Sequence, residues 1–247
     1  MNIQTIKTCR VTTPQNLNIF SDTYLPTLEE NTVVAVTSKI VSLCEGRTVA
    51  MGNCSKTMLI QQEADRVIFD NSSNTHIVLT YKNNMLIPAA GIDESNSDGQ
   101  YILYPQNPFL SAKNLCEYLK QKRKIEHLGI LITDSHTTPL RRGVTGIALA
   151  WWGFQPTHNL IGQPDLFGRP LQFTHINVAD ALAASAVYNM GECSECTPLA
   201  ILTNIPNITF DQSTHSIEEI SIEPEQDIYR PLLQPLLQST SPIKQTH

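Results

Sequence analysis

The chain has 247 residues, 41% of them hydrophobic, enough to bury a sizeable core in one large domain or two small intertwined ones. Its formal charge of −6 offers no basic face to a phosphate backbone, which excludes nucleic acid as a partner class. The start MNIQTIKTCR has no apolar leader, the longest greasy run (GIALAWWGF, 146–154) is too short to span a bilayer, and the six cysteines read as reduced thiols, so a soluble cytoplasmic protein with no membrane partner is expected.

In chain order, Thr13-Pro14 reads as the N-cap and first proline of an amphipathic helix with Leu17, Phe20, Tyr24, Leu25 and Leu28 inward and Pro26 as an early stop. TVVAVT (32–37) is a buried strand by its β-branched content, and it runs into SKIVSLCEG, a short helix closed by Gly46. Met58, Leu59, Gln62, Ala64, Val67 and Ile68 predict a helix over 56–69. HIVLTY and NMLIP then predict a hairpin about an Asn-Asn turn. AGIDESNSDG (90–99) has loop chemistry, YILY is a strand, and Asn107-Pro108 starts a helix that turns Ala112, Leu115, Cys116 and Leu119 inward.

HLGILIT and VTGIALAWW are further strands, with Trp151 and Trp152 read as core and interface. The segment 153–170 is a loop long enough to suggest function. NVADALAASAVYNMG is a close-packing helix ended by Gly191, and TPLAILTN is a strand. Beyond 211 the chain is polar and proline-broken, so residues 211–247 read as a loosely packed extension with a disordered tail, after a domain over 1–210. Hairpins mixed with helices predict an α+β fold with mixed antiparallel sheets.

Asp134 and Ser135 follow an apolar strand, where side chains leave the core for a crevice edge. Asp93, Glu94, Ser95 and Asn96 form a second loop of hard oxygen donors, and Glu192 follows a flexible Gly191. Oxygen-rich sets without paired histidines suit Mg²⁺ or Mn²⁺, which bind through a few carboxylates and substrate phosphates. Arg141, Arg142 and Arg169 offer guanidinium forks for carboxylate or phosphate. Ser38-Lys39, at a strand-to-helix turn, offers an anion contact, while both Gly-rich phosphate motifs are missing from the sequence. The lone Cys193-Ser-Glu-Cys196 is short of ligands for structural zinc.

TSKIVSLCEGR, AGIDESN, ITDSHTTPLRRGVTGIALA, DLFGRPL and NVADALAASAVYNMGE, in that order, resemble the coenzyme F(420)-0:L-glutamate ligase family of γ-glutamyl ligases, nearest to its folate metabolism γ-glutamate ligase branch. The resemblance runs from about residue 32 to 203. It implies a homodimer of α+β fold with two intertwined subdomains, and an amide ligase using GTP or ATP, two Mg²⁺ or Mn²⁺ ions and often a monovalent cation such as K⁺. On this resemblance Asp93 and Asp134 look like ligands of one metal, and Ser135 and Glu192 like ligands of a second. Ser38, Lys39, Asn96 and the loop Met190, Gly191, Glu192, Cys193, Ser194, Glu195, Cys196 and Thr197 look like nucleotide contacts.

The implied reaction adds L-glutamate in a γ-glutamyl-type linkage to a small-molecule carboxylate through an acyl phosphate. Lys39 would steady the phosphoryl charge, and Arg141 or Arg169 would orient a carboxylate. A folate- or pterin-like acceptor comes first, with the deazaflavin precursor as the alternative. Leu43 stands where the family places a second lysine, and Thr138 where it places an arginine, so a non-catalytic nucleotide- or metal-sensing dimer is a further alternative.

Overall fold

A computed structural model describes residues 1–68 and 78–233. Along the chain it has β1 (Asn2–Ile6), α1 (Leu17–Tyr24), β2 (Thr32–Thr37), α2 (Ser38–Cys44), β3 (Thr48–Ala50), α3 (Lys56–Glu63), β4 (Arg66–Ile68), β5 (Leu79–Lys82) and β6 (Met85–Pro88). There follow β7 (Gln100–Ile102), α4 (Pro108–Arg123), β8 (Leu128–Thr137), β9 (Val144–Trp152), β10 (Thr157–Asn159), β11 (His175–Asn177), α5 (Val178–Met190) and β12 (Leu199–Thr203). None of the described helices is long and apolar enough to cross a membrane. The α+β class expected from the sequence is what the chain adopts.

The helix starts are set by side-chain caps. Asn107 accepts from the N–H of Leu110 and Asn177 from that of Asp180, each satisfying a donor the first turn leaves free. The first helix departs from the sequence reading. Its cap is Asn16, accepting from Asn18 and Ile19, so the helix begins three residues beyond Thr13 and ends before Pro26. A second departure is at α3, which stops at Glu63; Val67 and Ile68 belong to β4 and pair with Thr80 and Leu79. Two adjacent apolar residues fit either period, and pairing with β5 settled the choice. The Asn-Asn turn is as expected, Asn83 and Asn84 both having positive φ, while His76 and Ile77 of the predicted strand lie outside the described residues.

The main sheet has strand order β1-β12-β2-β8-β9. Its inner pair β2 and β8 is parallel and its other pairs are antiparallel, a mixed sheet in which the hairpin-rich sequence gave no sign of the parallel pair. A parallel pair needs a crossover, and residues 38–127 supply it with α2, the small sheets and α4. Because the strands run the same way, Ser38 at the end of β2 and Asp134 near the end of β8 emerge at one edge.

Strand alternation sends side chains into two layers. Val34, Val36, Ile130, Ile132 and Leu199 join Phe20 of α1 and Leu115 and Leu119 of α4 in one cluster. Val33, Ala35, Leu131, Trp151 and Ala200 face Ala179, Ala183 and Ala186 of α5 in the other. In β9 the register slips by one residue opposite Ile132 and Thr133, so that Leu149 and Ala150 both join the first cluster. A third cluster, around Leu59, Ile60, Val67, Ile92 and Leu103, holds together the segment inserted between α2 and α4.

The long segment after β9 contains the small β10–β11 pair rather than loop alone. In the extension that starts at 211, Ile217 and Ile220 pack on the second cluster. His215 there is buried, its ring between Asp211 (2.8 Å) and Glu219 (2.9 Å) and edge-on to Trp152. The tail beyond 233 lies outside the described residues.

Small residues set how closely α5 approaches the sheet. A Cβ built on Gly146 of β9 would lie 2.3 Å from the Ala183 carbonyl oxygen of α5. Gly146→Ala is therefore expected to destabilise the fold by about 1–3 kcal/mol in urea unfolding; an unchanged midpoint would mean the helix slides without cost.

Candidate active site

A crevice opens at the edge where β2 and β8 end, the position at which ligands bind in sheets with parallel strands. Each wall comes from a different part of the chain. Thr37 and Lys39 stand at the β2–α2 junction, Thr133, Asp134 and Ser135 on β8, Met190 at the end of α5, and Gly191 to Cys193 with Glu195 to Pro198 after it. Asn96 comes from the inserted segment and Thr8 to Val11 from the end of β1.

Lys39 is at the centre of the charges. Its Nζ lies 2.5 Å from Asp93 Oδ2 and donates to Ser95 Oγ at 3.1 Å. Asp93 Oδ1 in turn accepts from the N–H and hydroxyl of Ser95, at 2.6 and 2.8 Å. Burial pushes the Asp93 carboxyl up, but the Lys39 ammonium and the Ser95 hydrogen bonds outweigh it, and the group is held below the usual carboxylate range.

Asp134 has less compensation. Burial, with the Asp93 charge adding to it, pushes its carboxyl up to about 6 against the pull of Tyr104, the Ser135 N–H and Lys39. The Tyr104 hydroxyl donates to Asp134 Oδ2 at 2.6 Å, and burial beside that carboxylate raises the phenol well above its ordinary value. Tyr104 is seated by Gly91, where an added Cβ would lie 2.2 Å from the ring and φ is +73°. Glu192 is also raised, by burial first, with Lys39 and the Ser135 side chain opposing.

Three carboxylates thus share one ammonium. Among the described residues no three His, Cys, Asp or Glu side chains close on a single point. The donor set is carboxylate and hydroxyl oxygen, without imidazole, and short of positive charge, which fits a hard divalent cation. The C-terminal end of α5 adds its negative dipole end beside Glu192.

The loop after α5 is pinned at several points. Asn96 Nδ2 donates to the Cys193 carbonyl at 3.0 Å, the Cys193 N–H donates to Glu195 Oε2 at 2.8 Å, and the Thr197 hydroxyl donates to the Met190 carbonyl. Gly191 turns with φ +82°, and a Cβ there would meet the Glu195 side chain.

Of the residues singled out from the sequence, Lys39, Asn96, Asp134, Ser135, Met190, Gly191, Glu192, Cys193, Glu195, Cys196 and Thr197 line the crevice. Asp93 joins them through Lys39, and Ser38 is buried behind it. Ser194 is exposed on the loop and does not line the crevice, and Glu94 is paired with Lys56. Arg141 and Arg169 are not in the crevice of this chain. They are exposed, on the β8–β9 turn and on the β10–β11 connection. The sequence reading passed over Tyr104 and Arg10. Arg10 lines the crevice and makes no ion pair among the described residues. Its signal was structural: β1 pairs with β12, which brings the segment after β1 against the loop before β12.

The chain matches the family described as F420-0:Gamma-glutamyl ligase over residues 16–204. It is 30% identical over 218 residues to a coenzyme F420:L-glutamate ligase of Methanococcus maripaludis (strain C6), covering 82% of this chain and 86% of that protein. It is 29% identical over 222 residues to the protein of the same name from Methanopyrus kandleri, covering 82% and 87%. With that of Methanosarcina barkeri it shares 31% over 190 residues, covering 71% and 74%.

The Asp134 shift has a sign that can be tested. Its carboxyl is raised in the folded chain to about 6, so below the unfolded value of 3.8 it contributes nothing; as pH rises through that window the unfolded chain gives up a proton that the folded chain retains, and stability falls. Asp134→Asn keeps an oxygen for Tyr104 and removes the charge. In chelator-containing buffer it should stabilise the protein by about 1–3 kcal/mol at pH ~7, after discounting for partial solvent access, and by nearly nothing below pH ~4. Urea unfolding across that range checks it, and a pH-independent difference would contradict the assignment.

Proposed function

The chain belongs to the F420-0:Gamma-glutamyl ligase family, and on that premise we propose that its crevice activates an acceptor carboxylate with a nucleoside triphosphate and joins it to L-glutamate. It is an acid–amino-acid ligase, forming a C–N bond. The observation that most supports this use of the crevice is the pair of under-compensated carboxylates, Asp134 and Glu192, beside the Lys39–Asp93 ion pair.

The acceptor we put first is the coenzyme F420 precursor, because the relatives carry coenzyme F420:L-glutamate ligase as their name. That reverses the order suggested by the resemblance to the folate branch, which put folate or pterin first. The crevice offers Val11, Ile40, Leu43 and Ile102 as an apolar wall for a planar ring.

Asp93 and Asp134 would hold one divalent cation, Mg²⁺ or Mn²⁺, and Ser135 with Glu192 a second. Bound there, such ions neutralise triphosphate charge and orient the γ-phosphoryl group for in-line transfer. Lys39, held by Asp93 and Ser95, supplies a fixed positive charge beside the transferring group. Tyr104 fixes the Asp134 carboxylate, and Asn96 ties the inserted segment to the Met190–Thr197 loop, so the nucleotide contacts are positioned before binding. The acceptor carboxylate takes the phosphoryl group, and the glutamate amine attacks the acyl carbon and expels inorganic phosphate. Arg10, unpaired among the described residues at the crevice wall, would receive an anionic group of glutamate or nucleotide.

A homodimer completes this reading. Leu166, Phe167 and Phe173 are 87% exposed or more on the β10–β11 connection, the kind of apolar surface an assembly covers. Arg141 and Arg169, outside the crevice of their own chain, would act on the reaction only from a second copy. The intertwined subdomains implied by the family resemblance belong to the same reading, with GTP or ATP as the phosphoryl donor. Leu43 on the crevice wall supports one competing reading, a sensor that binds nucleotide without turnover.

With Mn²⁺, GTP or ATP, glutamate and a panel of acceptors, phosphate release should depend on the right acceptor. Asp93→Asn and Asp134→Asn should each lower turnover by more than about tenfold, because charge stabilisation worth several kcal/mol is lost. Wild-type rates in either variant would sink the metal assignment, and tight nucleotide binding with no release for any acceptor would favour the sensor. Phe167→Asp should shift the protein from dimer to monomer in sedimentation, and an unchanged state would move the interface elsewhere.

A further inference from the structure

Three of the six cysteines, Cys9, Cys193 and Cys196, are exposed, and all three line the crevice. The others are elsewhere. Cys116 is buried and Cys44 half-buried, and burial pushes both thiols up to about 11. Cys54 packs on the third cluster and its thiol donates to the Ser55 carbonyl. Since the thiolate is the reacting form and access governs its rate, reactive sulfur in this chain is concentrated at the site mouth.

The strand register says which pair can meet. β1 and β12 are antiparallel with Ile6 opposite Leu199, a register that, continued, sets Cys9 opposite Cys196. Just past the ladder the Thr8 N–H donates to the Cys196 carbonyl at 2.8 Å, so the chains there are one residue out of step and Cys9 directly follows the bonded pair. Thr8 is thus the residue opposite Cys196, and Cys9 is its diagonal neighbour, one residue further along the strand. A disulfide spans about 4.4–6.8 Å between Cα atoms. Cys193 is anchored at both its carbonyl, by Asn96, and its N–H, by Glu195, whereas Cys196 follows with φ +55° at the crevice wall.

We propose that Cys9 and Cys196 form a redox-modifiable pair: a small-molecule disulfide of the glutathione type converts them to an intramolecular disulfide that ties residues 8–11 to the loop 191–198 and closes the crevice to substrate. One protein thiolate attacks the oxidant and releases one small thiol, leaving a mixed disulfide. The second protein thiolate then displaces the other small thiol. Two protein thiols lose two electrons and two protons, and the oxidant is reduced to two thiols. Both tied segments line the crevice, so the bond alters the site without touching Lys39 or the carboxylates.

The test uses the full chain titrated with oxidised glutathione, trapped with an alkylating reagent and mapped by mass spectrometry, with turnover measured in parallel. The expected result is a Cys9–Cys196 linked peptide and a loss of turnover of at least about tenfold, as misplaced binding segments produce, both reversed by dithiothreitol. Cys9→Ser should give no linked peptide, and its turnover, compared with its own reduced state, should not fall on oxidation. A bridge between Cys193 and Cys196 only, mixed disulfides only, or a linked protein with unchanged turnover would overturn the proposal. The effect on turnover rests on the ligase reading, but the two fail differently. Absent turnover in the reduced protein counts against the ligase, whereas an absent Cys9–Cys196 peptide counts against the pair whatever the activity.

Discussion

One ammonium surrounded by three carboxylates is the constraint on which the rest of this structure depends. Lys39 neutralises Asp93 at close range and only partly offsets Asp134 and Glu192, whose carboxyls burial pushes upward. Such an arrangement lowers the stability of the folded chain, because ionised groups lose hydration without full repayment. It persists because a well-packed sheet holds it, with Val33 to Val36 and Ile130 to Ile132 at or near zero exposure directly beneath the site. Charge strain at the edge and tight packing below are two sides of one design, in which activity costs stability.

The direction of two strands makes the cluster possible. Had β2 and β8 run antiparallel, Lys39 and Asp134 would have left the sheet at opposite edges. The parallel pair, with its crossover through residues 38–127, also brings Asp93 and Tyr104 from the inserted segment over the same edge. From the other face, close packing of α5 on Gly146 sets where Met190, Gly191 and Glu192 emerge. Backbone geometry therefore delivers the groups, and hydrogen bonds such as Tyr104 to Asp134 and Asn96 to Cys193 fix their final positions.

Where local chemistry was decisive, the sequence could be read directly. Asn107-Pro108 and the inward set Ala112, Leu115, Cys116 and Leu119 describe α4 as it stands, because a cap and a helical period are short-range properties. The acids at 134 and 192 are legible because one ends an apolar strand and the other follows a flexible glycine, and Asp93 because it stands in a loop of oxygen donors. Reading failed where two periods fitted equally, as at Val67 and Ile68, and where pairing partners are distant. Arg141 and Arg169 attracted attention by their motifs, yet in this chain the guanidinium at the crevice is Arg10, brought there by β1–β12 pairing across nearly two hundred residues. The packed His215 had no local signal either: its carboxylate partners and Trp152 acquire meaning only once the extension folds back on the sheet.

The sequence by itself determined the α+β class, most of its elements and which side chains are equipped for hard-cation and anion chemistry, since these follow from periodicity, caps and functional-group inventory. The tertiary structure decided which of those side chains meet. Strand direction, register and helix approach act between residues far apart in the chain, and they placed Lys39 among the acids, Arg10 on the crevice wall and Cys9 and Cys196 on the lining of one crevice, because proximity is a property of packing and not of composition.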